Sequence, residues 1–94
     1  MAGRDEIILA TAELLLLREI CSKAEPFPVP SDIIEFLHLD SLVLYHLVAT
    51  TDGGFRPTNL GLTVAQLTPS ELMPHGCLFR AADIMRATAR TDEP

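Results

Sequence analysis

The chain has 94 residues, of which 48% are hydrophobic and 21% are charged, so it can form one small domain and is too apolar for a disordered chain. The net charge is −6 and the seven Lys and Arg residues are scattered, which argues against a nucleic-acid binder, because such proteins usually carry a basic patch. Two cysteines are too few for a disulfide framework, and no apolar run is long enough for a signal peptide or a membrane span. We therefore expect a cytoplasmic, monomeric protein that binds neither membranes nor nucleic acids.

The N-terminal half of the sequence predicts two helices joined by a long extended connection. Residues 5–22 place apolar side chains at the spacings of an amphipathic helix. Three alternating prolines then disfavour helix, and residues 32–39 are predicted to form a packed loop or a single turn. Asp40 and Ser41 are both good N-caps, so a second helix is predicted to begin at one of them and to run to about Ala49.

The C-terminal half predicts two further helices. Thr68-Pro69-Ser70-Glu71 combines an N-cap, a proline suited to the first helical position and the Glu of a capping box, and so predicts a short helix. A last helix is predicted over about residues 77–88, where apolar residues again recur at helical spacing.

Together these elements predict an all-α fold, a small four-helix bundle with a long first loop. Residues 1–94 are expected to form a single domain. Its ordered core is predicted to span about residues 5–88, and residues 89–94 are predicted to be a flexible tail.

The most informative segment for function is Leu37-His38-Leu39-Asp40-Ser41-Leu42. A helix N-terminus presents free backbone N–H groups and the positive end of the helix dipole, and both favour a phosphate group. A serine at the start of the predicted second helix is therefore well placed to carry a phosphodiester.

This segment resembles the phosphopantetheine attachment motif of acyl carrier proteins, which reads roughly Leu-Gly-x-Asp-Ser-Leu. Phe55 lies where that family has a Phe at the end of its second helix, and Leu67–Leu72 resembles the start of its short third helix. The resemblance implies a non-enzymatic carrier in which Ser41 receives a 4'-phosphopantetheine arm from coenzyme A. It also implies that Asp40 assists the modification and that Leu42 lines the surface that partners contact.

The expected partners follow from the same resemblance. They are a phosphopantetheinyl transferase and the acyl-loading and acyl-processing enzymes of fatty-acid, polyketide or nonribosomal-peptide biosynthesis, which would act on an acyl or aminoacyl thioester. Three departures from the family affect this expectation: His38 stands where the family has Gly, residues 56–66 form a segment several residues longer than usual, and the predicted second helix lacks the family's exposed acids. In their place Val43, Leu44 and Leu47 are apolar and are predicted to dock partners.

A winged-helix or other small protein-interaction module without a prosthetic group is the main alternative. In that interpretation Val48–Thr58 forms a hairpin around Asp52-Gly53, a common hairpin turn. The predicted helix at residues 40–49 contains no Lys or Arg, so such a module is expected to bind protein rather than DNA. Ser41 would then be only a helix cap. A catalytic serine and a metal site are both disfavoured, because neither the sequence around Ser41 nor the spacing of His and Cys fits a known motif.

Overall fold

The computed structural model describes residues 6–92, which form four helices and five strands. In chain order these elements are β1 (Ile7–Ala10), α1 (Thr11–Cys21), α2 (Ile33–Leu44), β2 (Val48–Thr51), β3 (Gly54–Pro57), α3 (Asn59–Gln66), β4 (Glu71–Met73), β5 (Gly76–Phe79) and α4 (Ala81–Asp92). The prediction of an all-α four-helix bundle is therefore wrong. The protein is a mixed α/β domain with two antiparallel sheets.

A three-stranded sheet brings the two ends of the described chain together, in the strand order β1-β5-β4. β1 pairs with β5 so that Leu9 lies opposite Cys77, and β4 pairs with β5 across a tight turn at Pro74 and His75. Each of these strands lies where a helix was predicted: β1 within residues 5–22, β4 within the short helix after Thr68, and β5 at the start of the helix over about residues 77–88. Three or four residues fit the helical and the extended period equally well, and β1 pairs with a strand about seventy residues later in the chain.

The second sheet is the β2–β3 hairpin, which confirms the hairpin expected under the winged-helix alternative. Gly53 and Gly54 have φ values of 93° and 146°, which a side chain with a Cβ rarely adopts. The proline-rich connection pairs with this hairpin at one point: Phe27 N donates to Phe55 O at 2.7 Å, and Phe55 N donates to Phe27 O at 2.9 Å. The connection is extended, as its prolines predicted, but it is held against the domain.

α2 begins at Ile33, well before the predicted start at Asp40 or Ser41. Its N-cap is Asp32, whose carboxylate accepts a hydrogen bond from Glu35 N at 3.0 Å. The predicted start at Asp40 or Ser41 is wrong because the helix begins directly after the three prolines, where the sequence favours an extended chain.

The end of α2 is a Schellman motif, which turns the chain directly into the hairpin. His46 N donates to Val43 O and Leu47 N donates to Leu42 O, each at 2.9 Å. His46 takes the position that usually needs glycine, with a φ of 64°. Leu42 and Leu47 are both fully buried, as the hydrophobic contact of this motif requires.

One hydrophobic core joins α1, α2, α3 and the three-stranded sheet. Leu17, Leu42, Val64 and Phe79 supply one fully buried side chain from each of these four parts. α1 is also tied to α3 by Arg18, whose Nε donates to the Ala65 carbonyl oxygen at 3.1 Å. α4 continues to Asp92, beyond the predicted last helix. Residues 93 and 94 of the predicted tail, and residue 5 at the start of the predicted core, lie outside the described residues.

Candidate functional site

The side of α2 that faces away from the core is apolar. Leu39 and Leu42 point inward and are at most 1% exposed, whereas Ile33, Leu37 and Leu44 are 72%, 56% and 73% exposed. These exposed residues recur every fourth or seventh position, which places them on one stripe of the helix. We call this stripe, together with its exposed neighbours on α2, the α2 outer face; it comprises Ile33, Phe36, Leu37, Asp40 and Leu44.

The sequence places this face outward for a specific reason. A short amphipathic helix usually buries its apolar stripe and turns polar residues to solvent. α2 is apolar almost all round, so packing of Leu39 and Leu42 into the core leaves other apolar residues outside. The outer face is therefore a consequence of composition, and no rotation of α2 would bury all of its apolar side chains at once.

Two grooves flank the α2 outer face. The first, of about 400 Å³, lies between α1 and α2 and is lined by Ala12, Leu15, Leu16, Glu19, Asp32, Ile34, Glu35 and His38. The second, of about 370 Å³, lies between the C-terminal end of α2 and α4 and is lined by Ile7, Leu44, Tyr45, His46, Leu60, Ala81, Ile84 and Met85. Leu44 belongs both to the outer face and to the second groove, so apolar surface continues past the end of the helix.

The predicted attachment site is not at a helix N-terminus. Ser41 lies in the last turn of α2, where its Oγ donates to the Leu37 carbonyl oxygen at 3.3 Å. The free N–H groups of α2 are at Ile33 and the residues just after it, more than a turn away from Ser41. Asp40 is exposed on the outer face, and Leu42 is fully buried. The surroundings of Ser41 therefore supply none of the backbone donors that motivated placing a phosphodiester there.

The three predicted docking residues are in three different environments. Leu44 is exposed on the α2 outer face, Val43 is partly buried against the core, and Leu47 is fully buried. Of these only Leu44 is available to a partner in this fold. The residues that sequence reasoning missed are Ile33, Phe36 and Leu37, and the signal that could have found them is the N-cap pattern at Asp32.

The reactive side chains of the described residues are the other candidates for a site of metal binding or catalysis. Among residues 6–92, no group of three or more His, Cys, Asp and Glu side chains is placed to hold a metal ion. The Ser70 hydroxyl donates to the Asp83 carboxylate and accepts from Arg80 N at 2.9 Å, so it connects β4 to the start of α4. Cys21 and Cys77 are free thiols.

One of these thiols has a perturbed environment. Cys21 Sγ donates to the Gly61 carbonyl oxygen at 3.8 Å, where α1 meets α3. Burial raises the pKa of the Cys21 thiol above its ordinary value, because the thiolate would lose hydration there. A raised pKa disfavours the nucleophilic thiolate, so this cysteine has a structural environment rather than that of a catalytic nucleophile.

None of the helices within residues 6–92 has both the length and the apolar character needed to cross a bilayer. No family model, no curated protein and no solved structure matches this chain. The α2 outer face therefore has to be interpreted from its own chemistry.

Proposed function

We propose that this protein is a non-enzymatic protein-interaction module that binds its partner through the α2 outer face. The observation that carries the proposal is the exposure of Ile33, Leu37 and Leu44 on one stripe of a helix whose opposite side is core. Single exposed apolar side chains are common on protein surfaces, but contiguous apolar patches generally mark interaction sites. Exposed aliphatic groups add little to folding stability, so binding to another surface accounts for them better than folding does.

The charge of the helix supports a protein partner. α2 contains Glu35 and Asp40 and has no Lys or Arg, so its outer face would repel a phosphate backbone. A cytoplasmic location is part of the proposal, and the two free cysteines agree with a reducing compartment.

Attachment of phosphopantetheine to Ser41, which the resemblance implied, is untested, and the geometry supports it less well than partner binding. The fold that the resemblance implied is absent, and Ser41 lies at the wrong end of its helix. The full chain should be incubated with coenzyme A, magnesium and a promiscuous phosphopantetheinyl transferase, and its intact mass measured. We expect no gain in mass. A gain of one phosphopantetheine group that disappears in Ser41→Ala would instead support the carrier function.

The interaction proposal is tested by affinity capture with a matched control. Leu72 is 75% exposed on β4, so Leu72→Ser removes an equally exposed leucine that lies off α2. The wild type and Leu72→Ser should capture the same partner, and the Leu37→Ser/Leu44→Ser double variant should lose it. The captured protein is then purified and its complex with this chain is rebuilt from the two components. Equal binding by all three chains would contradict a role for the outer face.

A further inference from the structure

The groove between α1 and α2 extends the outer face into a surface that can hold a helix. Leu15 on α1 and Ile34 on α2 line the groove with apolar side chains that are 59% and 60% exposed, and the buried Leu16 lies between the two helices. Ile34 is followed at helical spacing by Leu37 and His38, so the groove and the outer face share one continuous side of α2. At about 1.5 Å per residue, α2 spans roughly 16 Å from Ile33 to Leu44, which matches about three turns of a partner helix.

The rim of this surface is acidic. Glu19 on α1, Asp32 at the N-cap of α2 and Glu35 in its first turn line the groove, and Asp40 lies on the outer face of α2. Among the residues that the structure describes, no Lys or Arg lines the groove. The ion pairs seen within residues 6–92 join Arg80 to Glu71 and Arg86 to Asp83, so they leave these four carboxylates without a basic partner.

We propose that the occupant of this surface is an amphipathic helix of a partner protein that carries Lys or Arg beside its apolar stripe. This inference rests on the proposed docking role of the α2 outer face and adds the chemistry of the partner. Apolar side chains of the helix pack on Leu15, Ile34 and Leu37, and its basic residues meet the acidic rim. A second copy of this chain is a poorer occupant, because it would bring the same acids together between two chains of net charge −6 each.

The test uses two synthetic helical peptides of about four turns that share one leucine stripe. One peptide carries Lys at every flanking position, and the other carries Glu at those positions. Each is titrated into the full ¹⁵N-labelled chain, and amide chemical shifts report both affinity and location. We expect the Lys peptide to bind at least about fivefold more tightly than the Glu peptide and to change the amide chemical shifts of residues in α1 and α2. The affinity of the Lys peptide should fall as the salt concentration is raised.

Charge variants test which acids recognise the peptide. Asp32→Asn keeps an N-cap and Glu19→Gln keeps side-chain size, so the double variant removes two charges while preserving the fold. It should weaken binding of the Lys peptide severalfold. Asp52→Asn is the matched control, since Asn-Gly suits the hairpin turn as well as Asp-Gly does, and it should leave binding unchanged.

Three results would overturn the inference. In the first, both peptides bind equally and Leu37→Ser abolishes both; the partner is then not basic, although the docking role of α2 survives. In the second, the Lys peptide binds but changes the amide chemical shifts of residues outside α1 and α2. In the third, neither peptide binds. Sedimentation equilibrium tests a further alternative. A dimer that Leu37→Ser disrupts would show that a second copy of this chain, and not a basic partner helix, occupies the surface.

Discussion

At the scale of single residues, Gly61 shows most clearly how the fold constrains the sequence. A Cβ built at Gly61 would overlap the carbonyl oxygen of Leu47, the residue that leads from α2 into the hairpin. Thr58 holds the two residues together through two hydrogen bonds. Its backbone N donates to Leu47 O at 3.0 Å, and its hydroxyl accepts from Gly61 N at 3.0 Å. The start of α3 is therefore packed directly on the backbone at the end of α2.

Gly61→Ala is expected to destabilise the protein by about 1–3 kcal/mol, because the backbone of Leu47 has no room to move. At an exposed position inside a helix, the same Gly→Ala substitution would stabilise the protein, since alanine is favoured over glycine there by about 1 kcal/mol. Urea unfolding of the variant measures the difference. Gln66→Ala, at an exposed position of the same helix, should change the free energy of unfolding by no more than about 0.5 kcal/mol. A Gly61→Ala chain as stable as the wild type would contradict the close packing.

Cys21 gives the fold a specific dependence on pH. Burial raises the pKa of its thiol in the folded chain, so the folded state holds this proton to a higher pH than the unfolded state does. Below about pH 8.5, the ordinary thiol pKa, both states are protonated and the group has no effect. Above that pH the unfolded thiol ionises first, and the free energy of unfolding falls.

The expected result is a loss of stability above about pH 8.5 that is smaller in Cys21→Ser than in the wild type. Serine does not titrate in this range and can still donate to the Gly61 carbonyl oxygen. Denaturant unfolding at several pH values on both chains isolates the contribution of Cys21. Parallel stability curves for the two chains would show that burial of this thiol is not linked to folding.

At the scale of elements, α2 has two faces with different roles. Its inner face packs into the core, and its outer face is exposed and is the surface that we propose binds a partner. Leu39 and Leu37 are two positions apart on the same helix, and they differ in exposure as 1% against 56%. They form a matched pair for separating folding from binding.

Leu39→Ser is expected to cost about 2–5 kcal/mol, because it leaves a cavity and buries a hydroxyl group. Leu37→Ser should change the free energy of unfolding by less than about 1 kcal/mol, because its site is largely exposed. Thermal and urea unfolding of the two variants provide the comparison. Similar losses from both variants would mean that the outer face is part of the core, and would remove the basis of the proposed function.

The elements also show what the sequence could predict. The Asp-Gly turn of the β2–β3 hairpin and the extended proline segment are local signals, and the structure contains both. The N-cap of α2 was equally local, but Asp40 and Ser41 offered a second plausible start and the resemblance to carrier proteins favoured it. β1 and β4 could not be found in this way, because each is three or four residues long and is defined by pairing with β5.

The candidate site could also be predicted only in part from the sequence. The unusual apolar content of the α2 region was visible in the sequence, and it led to Leu44 as a docking residue. Which side of the helix is exposed depends on where the helix begins and on what packs against it. Because α2 begins at Ile33 and packs against the core, Leu42 and Leu47 are buried and Ile33 and Leu37 are exposed.

At the scale of the whole molecule, α2 is held in place by contacts with the rest of the domain. α1 packs against both α2 and α3, the hairpin follows directly from the Schellman turn, and the three-stranded sheet closes the core behind them. These contacts fix the orientation of α2 from its inner side and from its C-terminal end. A net charge of −6 makes the approach of two identical chains unfavourable, and it is complementary to the basic partner that we propose.

The most direct test of the account is site-specific photo-crosslinking of the full chain in cells. A benzophenone amino acid is introduced at Leu37 on the outer face or at Leu72 on β4, which is at least as exposed. We expect one discrete crosslinked partner from position 37, identified by mass spectrometry, and no such product from position 72. No adduct at position 37 in a folded chain, or the same adducts from both positions, would contradict the claim that the outer face of α2 binds a specific partner.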